Sequence, residues 1–266
     1  MNRREFIVGA TAAGVMSGAF AKEGPAGLRI RFLGTGASDW KGLDERGEWR
    51  RWSSILVDNA VLVDFTAQSV DQLPAGVRPE AIFYTHSHRD HYDPAEAGEL
   101  GVAVPAVRGL AFGETVEERG VRFTCVPANH GTSRTGERAG MFLIEKGEER
   151  LLYATDTGGI MAEAARIVGI DAHMRDGKPI TALVMEATMG VGYEDDFRIY
   201  THSSVDTVAR IVRVLTATGR YLPPPGRKVY LTHLARTLHG THAEVAAAVP
   251  APLCPAHDGL EVVFGK

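Results

Sequence analysis

Residues 85–91 of this chain read Thr85-His86-Ser87-His88-Arg89-Asp90-His91, which places three histidines and an aspartate within six consecutive residues. This segment directly follows the apolar run Ala81–Tyr84, which predicts a strand. Because alternate side chains of an extended chain share a side, His86 and His88 can reach one cation while Asp90 and His91 turn towards a second. Imidazole nitrogen and carboxylate oxygen suit zinc, manganese or iron. The density of these side chains favours a metal site over a surface cluster of histidines without function.

Short apolar and β-branched runs on both sides of this segment predict further strands. The predicted strands are Leu28–Leu33, a hairpin over Ser54–Phe65 that is broken at Asp58-Asn59, Ala81–Thr85, Val121–Val126, Met141–Ile144, Leu151–Thr155, Ala182–Glu186, Val229–Thr232 and Leu260–Phe264. Helical patterns fall between several of them, without an internal linker or repeat. Interspersed strands and helices indicate a mixed α/β domain with helices packed outside sheets.

Two helices are predicted from their capping patterns. The first begins after Asp93, where Asp93-Pro94-Ala95-Glu96 combines an N-cap, a proline at the first helical position and a capping-box glutamate. The second spans about Ser204 to Thr218 and has apolar residues at helical spacing. Ser203 and Asp206 resemble a capping box at its start, and Gly219 ends it.

The pattern HxHxDH at residues 86–91 resembles the signature of the metallo-β-lactamase superfamily. The resemblance implies an α/β (α+β) fold, a four-layer αββα sandwich, and hydrolysis by water that two divalent metal ions activate. It also implies three further ligands, each at the end of a strand, in the order histidine, aspartate, histidine. His130, Asp156 and His233 occupy such places after three of the predicted strands.

The resemblance also implies how the ligands divide between two metals. His86, His88 and His130 would hold the first metal, Asp90, His91 and His233 the second, and Asp156 would lie between them. Taken singly, His130 could be a loop histidine, Asp156 a helix N-cap and His233 a core histidine. Zinc is the expected metal, with manganese and iron as alternatives, because shells of histidine and aspartate accept all three.

Two further residues resemble the glutamate and histidine of ribonuclease Z-like phosphodiesterases, namely Glu186 in Val184-Met185-Glu186-Ala187-Thr188 and His202 in Thr201-His202-Ser203-Ser204. The segments 33–36 and 255–261 are similar to parts of ribonuclease Z and of the phosphonate-pathway cyclic-phosphate phosphodiesterases. The resemblance implies that His202 donates a hydrogen bond or proton, that Glu186 orients His202, and that Asp90 positions the water. Alternatively, His202 precedes a helix cap and Glu186 caps or pairs structurally.

The chain departs from both kinds of relative, which leaves its substrate open. It shows neither a cysteine-rich accessory zinc site nor a long Gly/Pro-rich arm for gripping tRNA. A net charge of -4 supplies no overall pull towards nucleic acid, so a small phosphodiester is predicted and no long nucleic acid is expected. The alternatives are a lactonase or β-lactamase-type hydrolase on the same fold, and a noncatalytic metal-binding or partner-binding protein. The sequence indicates no oligomeric state.

The first residues predict export. Arg3 and Arg4 precede the uncharged stretch Phe6–Phe20, and Ala19-Phe20-Ala21 supplies small residues at a cleavage position. This resembles a twin-arginine signal peptide over residues 1–21, and the alternative is a buried N-terminal helix. The apolar run is too short and too rich in Gly and Ala for a stable membrane anchor. The prediction is an exported, periplasmic protein in which residues 22–266 form one hydrolase domain.

Three features receive no assigned role. Cys125 and Cys254 are expected to be small apolar residues, with a disulfide as the alternative in an oxidising compartment. His239 and His242 could line the pocket or lie on the surface. The polar loop 38–52 could contact a base, sugar or phosphate, or could be a solvated loop; its aromatic and basic residues are Trp40, Arg46, Arg50, Arg51 and Trp52.

Overall fold

Two β-sheets stacked face to face carry the predicted site residues in the computed structural model, which describes residues 27–102, 110–132, 134–173 and 176–265. The predicted signal peptide lies outside the described residues. Within the described ranges, no helix is both long enough and apolar enough to cross a bilayer.

The first sheet has five strands. They are β1 (Leu28–Gly34), β2 (Ser54–Val57), β3 (Val61–Val63), β4 (Ala81–Phe83) and β12 (Glu261–Phe264), in the order β12-β1-β2-β3-β4. The predicted break in the hairpin is confirmed, since Asp58 and Asn59 both have positive φ between β2 and β3. Strand β3 ends two residues earlier than predicted, because Asp64 has a φ of 54° and leaves the extended conformation.

The second sheet has seven strands. They are β5 (Thr115–Glu118), β6 (Val121–Pro127), β7 (Gly140–Lys146), β8 (Glu149–Ala154), β9 (Ala182–Glu186), β10 (Val229–Thr232) and β11 (Leu253–Pro255). Their order is β11-β10-β9-β8-β7-β6-β5. Strands β8 to β11 are parallel, so their carboxyl ends meet at one edge of the sheet. Strand β6 runs in the same direction, because both it and β8 pair antiparallel with β7.

Helices cover the outer face of each sheet. They are α1 (Pro94–Glu99), α2 (Ala162–Val168), α3 (Val205–Ala217) and α4 (His242–Ala248), together with 3-10 helices at Ala67–Gln72 and Phe197–Tyr200. The predicted start of α1 is confirmed, since the Asp93 side chain accepts a hydrogen bond from the Glu96 backbone and Pro94 follows. The predicted cap of α3 is wrong by one residue: Ser204 accepts from the Thr207 backbone, whereas Ser203 donates to the Thr157 carbonyl.

Alternation of side chains along the strands builds three apolar layers. Val184 lies between the two sheets with Ile30, whereas the next residue, Met185, packs on the outer face with Val208 of α3. A third layer packs Ala97 of α1 against the outer face of the first sheet. The order helix, sheet, sheet, helix confirms the predicted four-layer αββα sandwich and the mixed α/β class.

The two cysteines lie on well-separated strands. Cys125 is buried on β6, and Cys254 is on β11 at the far edge of the same sheet. Four strands lie between β6 and β11, which at about 4.8 Å per strand is far beyond the reach of a disulfide.

Candidate metal centre

The predicted metal ligands and Glu186 lie at or just after strand ends at one end of the sandwich, whereas His202 lies between the 3-10 helix Phe197–Tyr200 and α3. The segment His86–His91 comes after β4 of the first sheet. From the second sheet come His130 after β6, Asp156 after β8, Glu186 at the end of β9 and His233 after β10. Because these four strands point the same way, their carboxyl ends bring the side chains together.

The chain is extended only as far as His88 in the first segment. A turn then follows, in which the His88 carbonyl accepts hydrogen bonds from the backbone N–H groups of His91 and Tyr92. This turn separates the two halves of the motif. His86 and His88 face one group of side chains, and Asp90 and His91 face the other.

The first group contains three histidine nitrogens. His88 Nδ1 lies 2.9 Å from His86 Nε2 and 3.3 Å from His130 Nε2. Tetrahedral zinc with bonds of about 2.0–2.1 Å to nitrogen separates its ligand atoms by about 3.3 Å. The spacing of the three nitrogens therefore fits one such cation.

The second group contains Asp90, His91 and His233. The Nε2 atoms of the two histidines lie 3.3 Å apart. Asp90 Oδ2 lies 3.4 Å from His91 Nε2 and 3.5 Å from His233 Nε2. These separations fit a second cation beside the first.

Asp156 lies between the two groups. Its Oδ2 is 2.6 Å from His91 Nε2 and 3.4 Å from His86 Nε2, and its Oδ1 is 3.2 Å from His233 Nε2. The residue is only 2% exposed, and Oδ1 has no hydrogen-bond partner among the described residues. Since a buried carboxylate oxygen without a partner is costly, this atom favours a cation at the boundary of the two groups.

The outer nitrogens of the histidines show which inner atoms are free to bind a metal. His91 Nδ1 donates to Asp64 Oδ2 at 2.7 Å, and His130 Nδ1 donates to the Thr201 carbonyl at 3.1 Å. A histidine whose Nδ1 carries the proton in this way presents the lone pair of Nε2.

The hydroxyls of two threonines accept hydrogen bonds from Nδ1 of two further ligand histidines, His86 and His233. Thr85 Oγ1 donates to Asp64 and so accepts from His86 Nδ1 at 3.0 Å. Thr188 Oγ1 donates to Glu186 and accepts from His233 Nδ1 at 2.8 Å. Four Nε2 lone pairs therefore converge on one small volume, an arrangement that fits divalent cations.

Backbone strain is concentrated at this site. Six non-glycine residues of the described structure have positive φ, and three of them are Asp64, Asp156 and His233, at 54°, 46° and 55°. The left-handed conformation is uncommon for residues with a Cβ, although aspartate and histidine adopt it more readily than most, and it is kept where surrounding contacts enforce it. At all three positions it occurs within two residues of a strand end.

The charges of the site favour a cation. Burial alone would lower the pKa of His91, but the carboxylates of Asp156, Asp90 and Asp64 raise it well above its usual value. Conversely, burial would raise the pKa of Asp156, but the neighbouring histidines, His233 first, hold it well below its usual range. The three carboxylates around His91 thus create a negative potential that a proton or a metal ion can satisfy.

Glu186 and His202 form a pair beside the metal ligands. His202 Nδ1 lies 3.1 Å from Glu186 Oε1 and 3.3 Å from Asp156 Oδ1. Burial would lower the pKa of His202, but Glu186 and then Asp156 raise it to about 9. Fully buried Glu186 also accepts from the backbone N–H groups of Thr157 at 2.7 Å and Thr188 at 3.0 Å, which fixes its position.

Asp64 is a site residue that the sequence analysis missed. Its Oδ1 accepts from the Thr85 backbone at 2.8 Å, and its Oδ2 accepts from the Thr85 hydroxyl and from His91. It stands directly after a short apolar strand, as Asp156 does, and that placement is the signal that could have identified it.

A cavity of about 320 Å³ opens over the ligands. Its walls include His88, Asp90, His130, Asp156, His202 and His233, together with Ser38, Asp39 and Arg198. The site is therefore large enough for a small substrate to reach both groups of ligands.

Trp40 and Arg50 of the loop 38–52 make internal contacts and do not line the cavity over the metal ligands. Trp40 is 2% exposed and donates from Nε1 to the Leu234 carbonyl, next to His233. Arg50 is buried, with its guanidinium on Thr35 Oγ1 and the Ala256 carbonyl. The interpretation that these two side chains contact substrate is wrong, because both are buried and hydrogen-bonded to other residues of the chain.

The two unassigned histidines also have internal partners. His239 donates from Nε2 to the Ala187 carbonyl at 2.7 Å, which braces the segment after Glu186. His242 begins α4, and its Nδ1 lies 3.0 Å from the Arg50 guanidinium. Neither lines the cavity over the metal ligands.

Comparison with known proteins identifies the family. Residues 94–234 match the family described as the Beta-lactamase superfamily domain, and the chain belongs to this family. No curated protein sequence matches the chain.

Solved structures share the fold over most of the chain. A diphosphatase from the PhnP family aligns at 22% identity with a TM-score of 0.64, covering 89% of this chain and 97% of that one. The metallo-beta-lactamase fold protein YhfI from Bacillus subtilis aligns at 14% identity and TM-score 0.63, covering 89% and 99%. The short form of human tRNase Z aligns at 14% identity and TM-score 0.55, covering 90% and 100%. Together these likenesses show the metallo-β-lactamase fold.

Proposed function

We propose that this protein is an exported, binuclear metal-dependent phosphodiesterase that acts on a small phosphodiester. The observation that carries the proposal is the Glu186–His202 pair, which lies beside seven converging ligand side chains and lines the same cavity through His202. Structural neighbours described as a diphosphatase and as tRNase Z support phosphoryl chemistry on this fold. The pattern at residues 1–21 supports export.

Under this proposal, His86, His88 and His130 would hold one cation, Asp90, His91 and His233 would hold the other, and the Asp156 carboxylate would contribute to both. When bound, two divalent cations lower the pKa of a water molecule and polarise a phosphoryl oxygen. Zinc is the metal we propose, since it binds shells of histidine and aspartate and the nitrogen spacings of 2.9 and 3.3 Å can accommodate it.

The residues of the chain supply the remaining steps. Asp90 orients the attacking water through its carboxylate at the edge of the cavity. His202 donates a hydrogen bond or proton to the leaving oxygen, where negative charge develops. Glu186 keeps the imidazole protonated and correctly turned through the 3.1 Å contact with Nδ1, which leaves Nε2 for the substrate.

The test is a substrate panel with three purified, zinc-supplied proteins. Wild type should hydrolyse bis-p-nitrophenyl phosphate in preference to a lactone and to nitrocefin. His202→Ala should keep its metal and lose about 10²–10⁴-fold in turnover. His173→Ala, which changes an exposed histidine far from the site, should match wild type. Full turnover by His202→Ala, or hydrolysis of only the lactone or nitrocefin, would contradict the proposal.

A further inference from the structure

Two exposed aromatic side chains stand on the short 3-10 helix that precedes His202. Phe197 is 75% exposed and Tyr200 is 74% exposed. Together with Leu43, at 75%, they are the most exposed large hydrophobic residues of the described structure. Leu43 lines a second cavity that shares Ser38 and Asp39 with the cavity over the metal ligands. Among the described residues, the most exposed apolar side chains thus include two that neighbour Arg198 and His202 in sequence, and Arg198 and His202 both line the cavity over the metal ligands.

The Arg198 side chain lies near the Phe197 ring and also lines the cavity over the metal ligands. Its Cζ lies 5.1 Å from the centre of the Phe197 ring. Its NH1 donates to Asp196 Oδ2 at 2.8 Å, while Nε and NH2 make no hydrogen bond to other described residues. The guanidinium thus keeps donors for an anionic group in the cavity, and the ring of Phe197 lies beside it.

Hydrogen bonds and close backbone packing hold residues 196–201 beside the metal ligands. The Thr201 carbonyl accepts from His130 Nδ1, and Asp196 accepts from the Arg198 backbone at the start of the helix. Gly158 lies so close to the backbone of residues 199–201 that a Cβ there would overlap it. The backbone that carries Phe197 and Arg198 is therefore held relative to the ligands, which reduces the ordering that binding a substrate there requires.

We propose that Phe197 and Arg198 form a subsite for the part of the substrate beyond the scissile group, and that this part carries a planar aromatic ring such as a nucleobase. The inference rests on the proposed function and adds the substrate class, a nucleotide-type phosphodiester. The base stacks on the Phe197 ring, as bases do on exposed aromatic side chains without hydrogen-bond readout, and Arg198 contacts the phosphate. Trp40 and Trp52, the aromatic residues that the sequence pointed to in the loop 38–52, do not line the cavity over the metal ligands, and Trp40 is only 2% exposed.

The experiment measures binding rather than turnover, so that it stands independently of the proposed reaction. Isothermal titration of the metal-loaded protein compares adenosine 5′-monophosphate with ribose 5-phosphate, which differ by the base. Wild type should bind the nucleotide about 5-fold or more tightly than the sugar phosphate. Phe197→Ala should lose this preference, and Phe197→Tyr should keep it. Arg198→Ala should weaken both ligands by a similar factor.

Leu222→Ala is the matched control, since Leu222 is also an exposed apolar residue, at 55%, outside the two cavities. It should leave both affinities unchanged. Equal affinities in wild type, or a preference that survives in Phe197→Ala, would overturn the subsite. A dimer in sedimentation velocity that Phe197→Ala dissociates would also overturn it, in favour of contact between two copies. Preference for the nucleotide without any phosphodiester turnover would instead count against the proposed function alone.

Discussion

Asp64 Oδ2 lies 2.7 Å from Nδ1 of His91, and neither side chain has any exposed surface. The same carboxylate accepts from the backbone and hydroxyl of Thr85, the residue before His86. One buried aspartate therefore orients a histidine from each of the two ligand groups. Such outer partners fix the ring and the tautomer of metal-binding histidines.

Asp64→Asn should weaken metal binding by about 10–100-fold, because the amide cannot accept from both His91 and Thr85 as the carboxylate does. The measurement is a zinc titration against a competing chelator. Asp71→Asn is the control, since Asp71 is an exposed residue that pairs with Arg51. Unchanged zinc affinity in Asp64→Asn would show that His91 does not depend on this contact.

Gly158→Ala should lower both stability and turnover. Its methyl group would overlap the backbone of Ile199 and Tyr200, and relieving such overpacking costs about 1–3 kcal/mol. The shift would displace the segment that carries Arg198 and His202. Gly131→Ala, where nothing lies within 4 Å of the added carbon, is the control for both urea unfolding and turnover. Equal behaviour of the two variants would argue against this packing constraint.

His239 should make the protein less stable in mild acid. Burial, aided by the charge of Arg50, lowers its pKa to about 4 from the usual 6.5. The unfolded chain takes up a proton below pH 6.5 while folded His239 stays neutral, so stability falls between pH 6.5 and 4 by up to about 3 kcal/mol.

The measurement compares urea unfolding of wild type and His239→Asn at pH 7 and pH 5. The asparagine should show a smaller loss in acid, and titration of the metal ligands cancels in the difference between the two proteins. His173→Asn, at an exposed position, should lose stability as wild type does. An identical acid loss in wild type and His239→Asn would refute the assignment.

Export should depend on the paired arginines near the N-terminus. Replacing Arg3 and Arg4 with lysine should leave the protein in the cytoplasm, because the twin-arginine pattern is what the signal presents. Immunoblots of cytoplasmic and periplasmic fractions would show this. Replacing Arg119 and Arg122 with lysine is the control. Equal export of both double variants would remove the twin-arginine prediction.

The sequence predicted the ligand-bearing strands well because each is a short apolar run that ends at a polar side chain. Helix α2 and strand β11 lack a comparable local signal, and the sequence analysis did not predict them. Helix α2 has no side-chain N-cap, and β11 contains Pro255, which is unfavourable in most strands. The missed start of α4 did carry a signal, since Thr241 and Glu244 form a capping box.

The hydrogen bonds that support the metal ligands could not be predicted from local sequence patterns. The position of Asp64 after a strand is visible in the sequence, but its contact with His91, 27 positions away, is not, nor is the contact of Thr188 with His233, 45 positions away. Likewise, the Nε1 of buried Trp40 donates to the Leu234 carbonyl, a contact between residues 194 positions apart. Such pairings depend on the packing of the two sheets and not on local sequence.

Metal analysis of the purified, zinc-supplied protein measures whether these side chains hold two metal ions. We expect about two zinc ions per chain in wild type and a substantial loss in Asp156→Ala, because the Asp156 carboxylate lies within 3.4 Å of histidines from both ligand groups. A wild-type protein that binds one ion or none, or an Asp156→Ala variant that retains both, would contradict the binuclear site.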